Sequence, residues 1–229
     1  MKKQLLITFL SCLFFMATVR AQDSIVLKFN YPQKIHAIIK FNPIPILWGP
    51  LYYTGEYRLL TEFTTSRHQS TQIGVGYLGK GAIFKLLEDS MGFAGQSVRV
   101  KGFRVQAQHK FYLARKRYSP QGFYLSPHVS YAYAKISQGK LTSTNQYYIG
   151  ESNFNINLLV GVQLFIARTV AVDFFGGFGY KELKFWDQYP NMPRHYFNPF
   201  DGPSLMNSHL KVNLGLNFGI VTKKIKTPK

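Results

Sequence analysis

The chain has 229 residues, with 28 Lys+Arg against 10 Asp+Glu and a formal net charge of +18. Hydrophobic residues make up 46% and aromatics 16%, charged residues only 17%, and there is a single Cys. These values exclude a disordered chain, a disulfide scaffold and a Cys-built zinc site, and the length suits one domain.

Residues 1–21 read as a secretory signal. Lys2 and Lys3 form a basic start, Leu5–Met16 is an apolar run short for a spanning helix, and Val19-Arg20-Ala21 suits cleavage before Gln22. Ser11-Cys12 has the last pair of a lipoprotein box, but Phe9 stands where Leu is wanted, so Cys12 is expected to leave with the signal. Removal takes away Lys2, Lys3 and Arg20 and no acid, which leaves +15 on the exported chain. No motif points to nucleic acid. The excess bases suit solvated loops and turns, or the phosphates of anionic lipid and lipopolysaccharide.

Beyond the signal no run of 18 apolar residues occurs, so spanning helices are excluded by hydropathy. Apolar residues recur instead with a period of two, the mark of strands with unlike faces. In chain order, Lys34–Phe41 is the weakest case, with Ile35, Ala37, Ile39 and Phe41 on one face. Tyr53, Tyr57 and Leu59 then oppose Thr54, Glu56 and Arg58, and Ile73, Val75 and Tyr77 oppose Gln72, Gly74 and Gly76. Phe103, Val105, Ala107, Phe111 and Leu113 oppose Gly102, Arg104, Gln106, Gln108 and Lys110. Phe123, Leu125, Val129, Tyr131 and Tyr133 oppose Tyr124, Ser126, His128 and Ser130. Phe154–Ile166 is the clearest alternation, followed by Val170–Tyr180 and Leu210–Ile220.

The connections also alternate. Leu60–Arg67, Ala114–Gln121 and Ala167–Thr169 read as short; Lys80–Ser97, Ser137–Ser152 and Phe185–Ser208 read as long. Asn42–Pro50 is a short exception whose prolines cannot donate ladder hydrogen bonds. Within the long connection Lys80–Ser97, Ala82–Asp89 is predicted to form one or two helical turns. Long alternating strands in even number, with short and long connections in turn, predict an all-β, eight-stranded antiparallel up-and-down transmembrane β-barrel over residues 22–222, followed by a basic tail, 223–229.

Alternation alone does not say which face points inward. A small polar set on one face and aromatics near the strand ends (Tyr77, Phe111, Tyr112, Phe123, Tyr124, Phe185 and Trp186 among them) favour an apolar exterior with interfacial girdles. The competing arrangement is a secreted lipocalin-like carrier with its apolar face turned in on a lipophilic ligand.

Three stretches carry a resemblance: Lys40–Leu59 (KFNPIPILWGPLYYTGEYRL), His109–Lys135 and Leu158–Lys181. With the pattern between them, the mature chain resembles small outer-membrane β-barrels of the OmpA/OmpX-like kind, and the outer membrane protein beta-barrel domain sequences of unknown function. The resemblance implies the fold, export to the outer membrane of a Gram-negative bacterium and contact with the barrel-assembly machinery. Many such barrels end on an aromatic residue; here Phe218 and Ile220 are followed by Lys223–Lys229.

For chemistry, the inward register places Glu56, Arg58, Arg104 and Asp173 in one lumen, where they are expected to pair across the barrel as a charge network, with either base free to meet either acid. His128-Val129-Ser130 puts a base and a hydroxyl on one strand face. Lipid A deacylase barrels carry a similar His-x-Ser, with a downstream Glu orienting the His, but the nearest downstream acid here, Glu151, is read as loop. His195, His209, Asp187 and Asp201 lack metal-ligand spacing. Gly176-Gly177-Phe178-Gly179 lacks the Lys-Ser/Thr of a phosphate loop and is read as room in a strand for bulky neighbours. Arg115-Lys116-Arg117 reads as a solvated turn. No catalytic residue, metal or cofactor is expected. The expected role is structural or surface-binding through the long loops, not that of a general pore. A lipid A-modifying hydrolase and the carrier are the alternatives.

Overall fold

The computed structural model describes residues 35–47, 49, 51, 54–90, 98–113, 120–138, 147–166, 169–189, 192–197 and 208–224. Residues 1–21, read above as a signal, and residues 225–229 of the segment read as a basic tail lie outside the described residues, as do Asp201 and Arg115-Lys116-Arg117.

Nine strands are described: β1 (Ile35–Phe41), β2 (Thr54–Ser66), β3 (Gln69–Lys80), β4 (Val98–Tyr112), β5 (Gly122–Gln138), β6 (Tyr148–Ile166), β7 (Val170–Gln188), β8 (His195–Phe197) and β9 (Leu210–Lys224). Among the described residues two helices, α1 (Ile44–Leu47) and α2 (Ala82–Ser90), lie in connections at one end. No helix among the described residues is long and apolar enough to cross a membrane.

All pairings are antiparallel, and the order closes on itself. β1 to β6 pair consecutively, β6 pairs β7, β7 pairs β9, and β9 returns to β1. Eight strands therefore form a closed barrel without free sheet edges over most of its wall. β8 stands outside this cycle. It pairs with Phe185–Asp187 of β7, along the edge that β9 leaves beyond Tyr180.

The strands are longer than alternation alone suggested. β2 continues through Leu60–Ser66, read above as a turn, and only Arg67-His68 separate it from β3. The extension keeps the two-residue period, with Leu60 and Glu62 inward and Phe63 outward. β5, β6 and β7 likewise reach into the long connections, so Glu151 is a buried strand residue, not a loop acid. β9 runs through Lys224, two residues into the segment read as tail, because Ala37 and Ile35 of β1 pair with Lys223 and Lys224. β5 starts at Gly122, whose φ of 103° lies in the left-handed region that favours glycine.

The outer surface is an apolar band. On β5 it runs from Phe123 through Leu125, Val129 and Tyr131, on β6 from Ile166 to Phe154, and on β9 from Ile220 to Leu210. Above it the outward positions turn charged: Lys101 on β4, Lys135 on β5, Glu182 and Lys184 on β7. At that boundary Trp186 stacks on Tyr133, with ring centroids 5.8 Å apart, and is covered by Tyr196 of β8 and by Arg194, 5.4 Å from its ring. Two residues expected in an aromatic girdle, Tyr112 and Tyr124, are instead inside, almost fully buried. Their neighbours Phe111 and Phe123 take the outward positions, as strict alternation requires. Val172, read as outward, is also covered, between Leu164 and Phe218 in register.

Candidate functional site: a divided lumen

The lumen holds two clusters of charge. The lower lies toward the short turns. The Asp173 carboxylate is fully buried and accepts from Lys40 Nζ at 2.8 Å and Lys110 Nζ at 2.7 Å through Oδ2, and from Tyr124 Oη at 2.6 Å through Oδ1. Glu62 forms an ion pair with Lys40 and accepts from Lys110 Nζ at 3.2 Å, Tyr112 Oη at 2.8 Å and Ser70 Oγ at 2.5 Å. Gln163 Oε1 accepts from both lysines, at 2.6 and 3.0 Å, and Asn217 Nδ2 donates to Asp173 at 3.3 Å. Lys110 also lies 4.5 Å from the centre of the Tyr124 ring.

Lys40, Glu62, Ser70, Lys110, Tyr124, Gln163, Asp173 and Asn217 come one from each of the eight barrel strands. Two cations meet two carboxylates, so the cluster is neutral. Burial of charge is tolerable only with such pairing and with hydrogen bonds to the remaining lone pairs.

The upper cluster lies toward the long connections. Glu56 accepts from Arg58 of its own strand through two bonds, Nε to Oε1 at 2.5 Å and Nη2 to Oε2 at 2.6 Å. Arg104 Nη1 reaches Glu56 Oε2 at 3.4 Å, and Arg104 Nη2 donates to Ser130 Oγ at 2.9 Å. In register Gly76 sits between Arg58 and Arg104. A Cβ there would come within 2.6 Å of Glu56 Oε1, so glycine leaves the space in which one carboxylate meets two guanidiniums. Lys211 Nζ donates to Asn155 Oδ1 at 2.9 Å, and among the described residues it forms no salt bridge. Two guanidiniums therefore share one carboxylate, and Lys211, which lines the same cavity, adds a third cation.

Of the four charges expected to form one network, Glu56, Arg58 and Arg104 meet. Asp173 belongs to the other cluster. The sequence reading missed three members of that lower cluster: Lys40, Glu62 and Lys110. The signal for each was parity. Glu62 is six residues beyond Glu56 on the same face, but lay in a stretch taken for a turn. Lys40 alternates with Ile39 and Phe41, and Lys110 was placed on the inward face without being assigned a partner.

His128 and Ser130 both point into the lumen and are buried. His128 Nδ1 lies 2.9 Å from Asn157 Nδ2, and Asn213 Nδ2 donates to Asn157 Oδ1 at 2.8 Å. Ser130 Oγ accepts from Arg104 and, at 3.3 Å, from Asn155 Nδ2. The two side chains thus have different partners. Glu151 pairs in register with Ala134, six positions along β5 from His128, about 20 Å at the rise of a strand. It is too far to orient the imidazole. His195 Nδ1 lies 3.1 Å from Asp187 Oδ1, while His209 stacks on Tyr180. Among the described residues no group of three or more His, Cys, Asp or Glu is arranged to hold a metal ion.

A cavity of about 280 Å³ adjoins the upper cluster. Arg58, Arg104 and Lys211 line it, and among the described residues no carboxylate does.

No family model matches the chain, and no curated protein matches it. Among solved structures, a major outer membrane protein from Thermus thermophilus aligns with 80% of this chain and 97% of its own, at 10% identity and a TM-score of 0.38. A likeness that low assigns neither fold nor role; the closed barrel is assigned from its strand pairings.

Proposed function

We propose that this protein is an outer-membrane β-barrel, exported through a cleaved signal and inserted by the barrel-assembly machinery. In this reading it has a structural or surface-binding role and is not a general pore. The observation that carries the reading is the inverted polarity: an apolar exterior around a lumen of paired charges. In water that surface is costly, at about 25 cal/mol for each Å² of apolar area left exposed. In lipid the cost vanishes, and where β1 completes the wall the closed ladder satisfies the backbone groups that hydrocarbon cannot. A carrier for a lipophilic ligand needs the reverse polarity.

The lower cluster supports a non-conducting lumen, because its side chains from every barrel strand converge on one another. The long connections at the opposite end then carry the contacts with lipopolysaccharide or other surface partners. The test is fractionation of cells expressing the full chain, with a heat-modifiability gel on the membrane fraction. The expected outcome is extraction by detergent only, with a mobility shift on boiling and negligible conductance in planar bilayers. Recovery as a soluble periplasmic protein, or steady ohmic conductance, contradicts the reading.

A further inference from the structure

The barrel wall is incomplete in its upper half. β1 ends at Phe41, opposite Leu59 of β2 and Phe218 of β9. Above that level β2 continues to Thr54 and β9 to Leu210, and no described strand lies between them. Pro43 and Pro45 explain the stop, since neither can donate to a ladder. The chain turns instead into α1, which packs on β2, and Gly49 N donates to Thr54 O at 2.8 Å. The upper edge of β9 therefore has β7 on one side and, among the described residues, no strand on the other.

The cavity described above opens at this gap. It is lined by Lys211 and Asn213 and also by Val212 and Leu214. The lining of this cavity takes in consecutive residues Lys211–Leu214 of β9 together with Ile44, Pro45 and Gly49 of the β1–β2 connection, which sets it at the free edge of β9. Leu214 and Val212, 83% and 71% exposed, are the two most exposed large apolar side chains of the described residues. Ile44 and Pro45 form the facing side of the mouth.

The inner end of this passage is basic. Glu56 balances one of the three cations, and Arg104, 6% exposed, keeps its Nε without a hydrogen-bond partner. An excess of buried positive charge with a free donor calls for an anion. Small-molecule pockets span about 300–1,000 Å³, so this volume suits a head group and not a whole lipid.

We propose that the gap beside β9 admits one anionic membrane lipid. Its phosphate or carboxylate sits between Arg58, Arg104 and Lys211, and its acyl chain remains outside along Val212 and Leu214. This rests on the membrane-seated reading, but it is tested on barrel already folded in detergent, so its failure leaves insertion standing.

The probes are lysophosphatidic acid, lysophosphatidylcholine of the same chain length and inorganic phosphate. They are titrated by calorimetry against the full mature barrel in a non-ionic detergent. Lysophosphatidic acid is expected to bind one to one, at least about tenfold more tightly than either other probe, because only it offers both an unshielded anion and a chain. Lys211→Met, or Lys211→Gln should the first variant not fold, is expected to weaken that binding by about tenfold or more while leaving the fold intact. Equal binding of lysophosphatidylcholine would reduce the site to an apolar groove and overturn the proposal. Equal binding of inorganic phosphate would make it a site for free anions and overturn it as well. So would absence of binding, or an affinity unchanged in the Lys211 variant.

Discussion

The two halves of the lumen solve the same problem in opposite ways. In the lower half two lysines and two carboxylates neutralise one another, and tyrosines, a serine and amides take up the remaining lone pairs. In the upper half Glu56 meets two guanidiniums, Lys211 beside them has no carboxylate partner among the described residues, an arginine nitrogen is left over, and the adjoining cavity has no carboxylate in its described lining. The lower half sits where β1 completes the wall; the upper half sits where β1 has stopped. A complete wall goes with charge that is complete in itself, and a broken wall with charge that is not. That contrast separates a part of the barrel that holds it together from a part free to bind.

The largest effect is expected at Asp173. Asp173→Asn leaves Lys40 and Lys110 with only Glu62, and losing one partner of a buried ion cluster costs about 3–5 kcal/mol. Urea unfolding of the refolded barrel in detergent measures it. Combining it with Lys110→Met should cost less than the sum of the two single changes, with a coupling of about 1–3 kcal/mol. Strict additivity would mean that these groups do not share one network.

Next comes the exterior. Val160 faces outward and Gly161 inward toward Tyr124, where even a Cβ would come within 2.5 Å of the phenol oxygen. Arg at Val160 should therefore destabilise the barrel in bilayers by about 2–4 kcal/mol near the midplane. A spin label there should be quenched by a lipid-soluble agent far more than one at Gly161; equal quenching would contradict the register.

Glu56→Gln is expected to be milder, at about 1–3 kcal/mol. Its guanidinium partners line a cavity that can hold water, whereas of the lower cluster's members only Asn217 reaches that cavity. The same unfolding assay gives the comparison, and a loss as large as that at Asp173 would erase the difference between the halves.

Much of this was legible in the sequence. The two-residue period in Phe154–Ile166 and Leu210–Ile220 gives strands, faces and barrel, because lipid on one side and side chains on the other impose unlike chemistry on alternate residues. It failed where that contrast was weak. Leu60–Arg67 mixes Thr and Glu with apolar residues, so β2 looked shorter and Glu62 was lost with it. Arg58 and Glu56 were both placed inward by parity, but they pair along their own strand and not across the barrel as expected, because two residues of spacing already brings the guanidinium to the carboxylate. The meeting of Asp173 with Lys40 and Lys110 joins strands far apart in sequence, and depends on register across the closure. The gap beside β9 was hinted at by the prolines of Asn42–Pro50, but its consequence needed the pairing of β9.

The most direct test compares two lysines in one assay. Lys110 and Lys211 both lie in the lumen, but Lys110 has two carboxylate partners and Lys211 has none among the described residues. With no lipid added, Lys110→Met should lower the urea midpoint sharply, while Lys211→Met should hold or raise it, a stability gain of up to about 1 kcal/mol, because it removes a buried charge without stranding another. If both changes lowered the midpoint alike, the two halves of the lumen would be electrostatically equivalent, and the division between a sealing cluster and a binding one would fall.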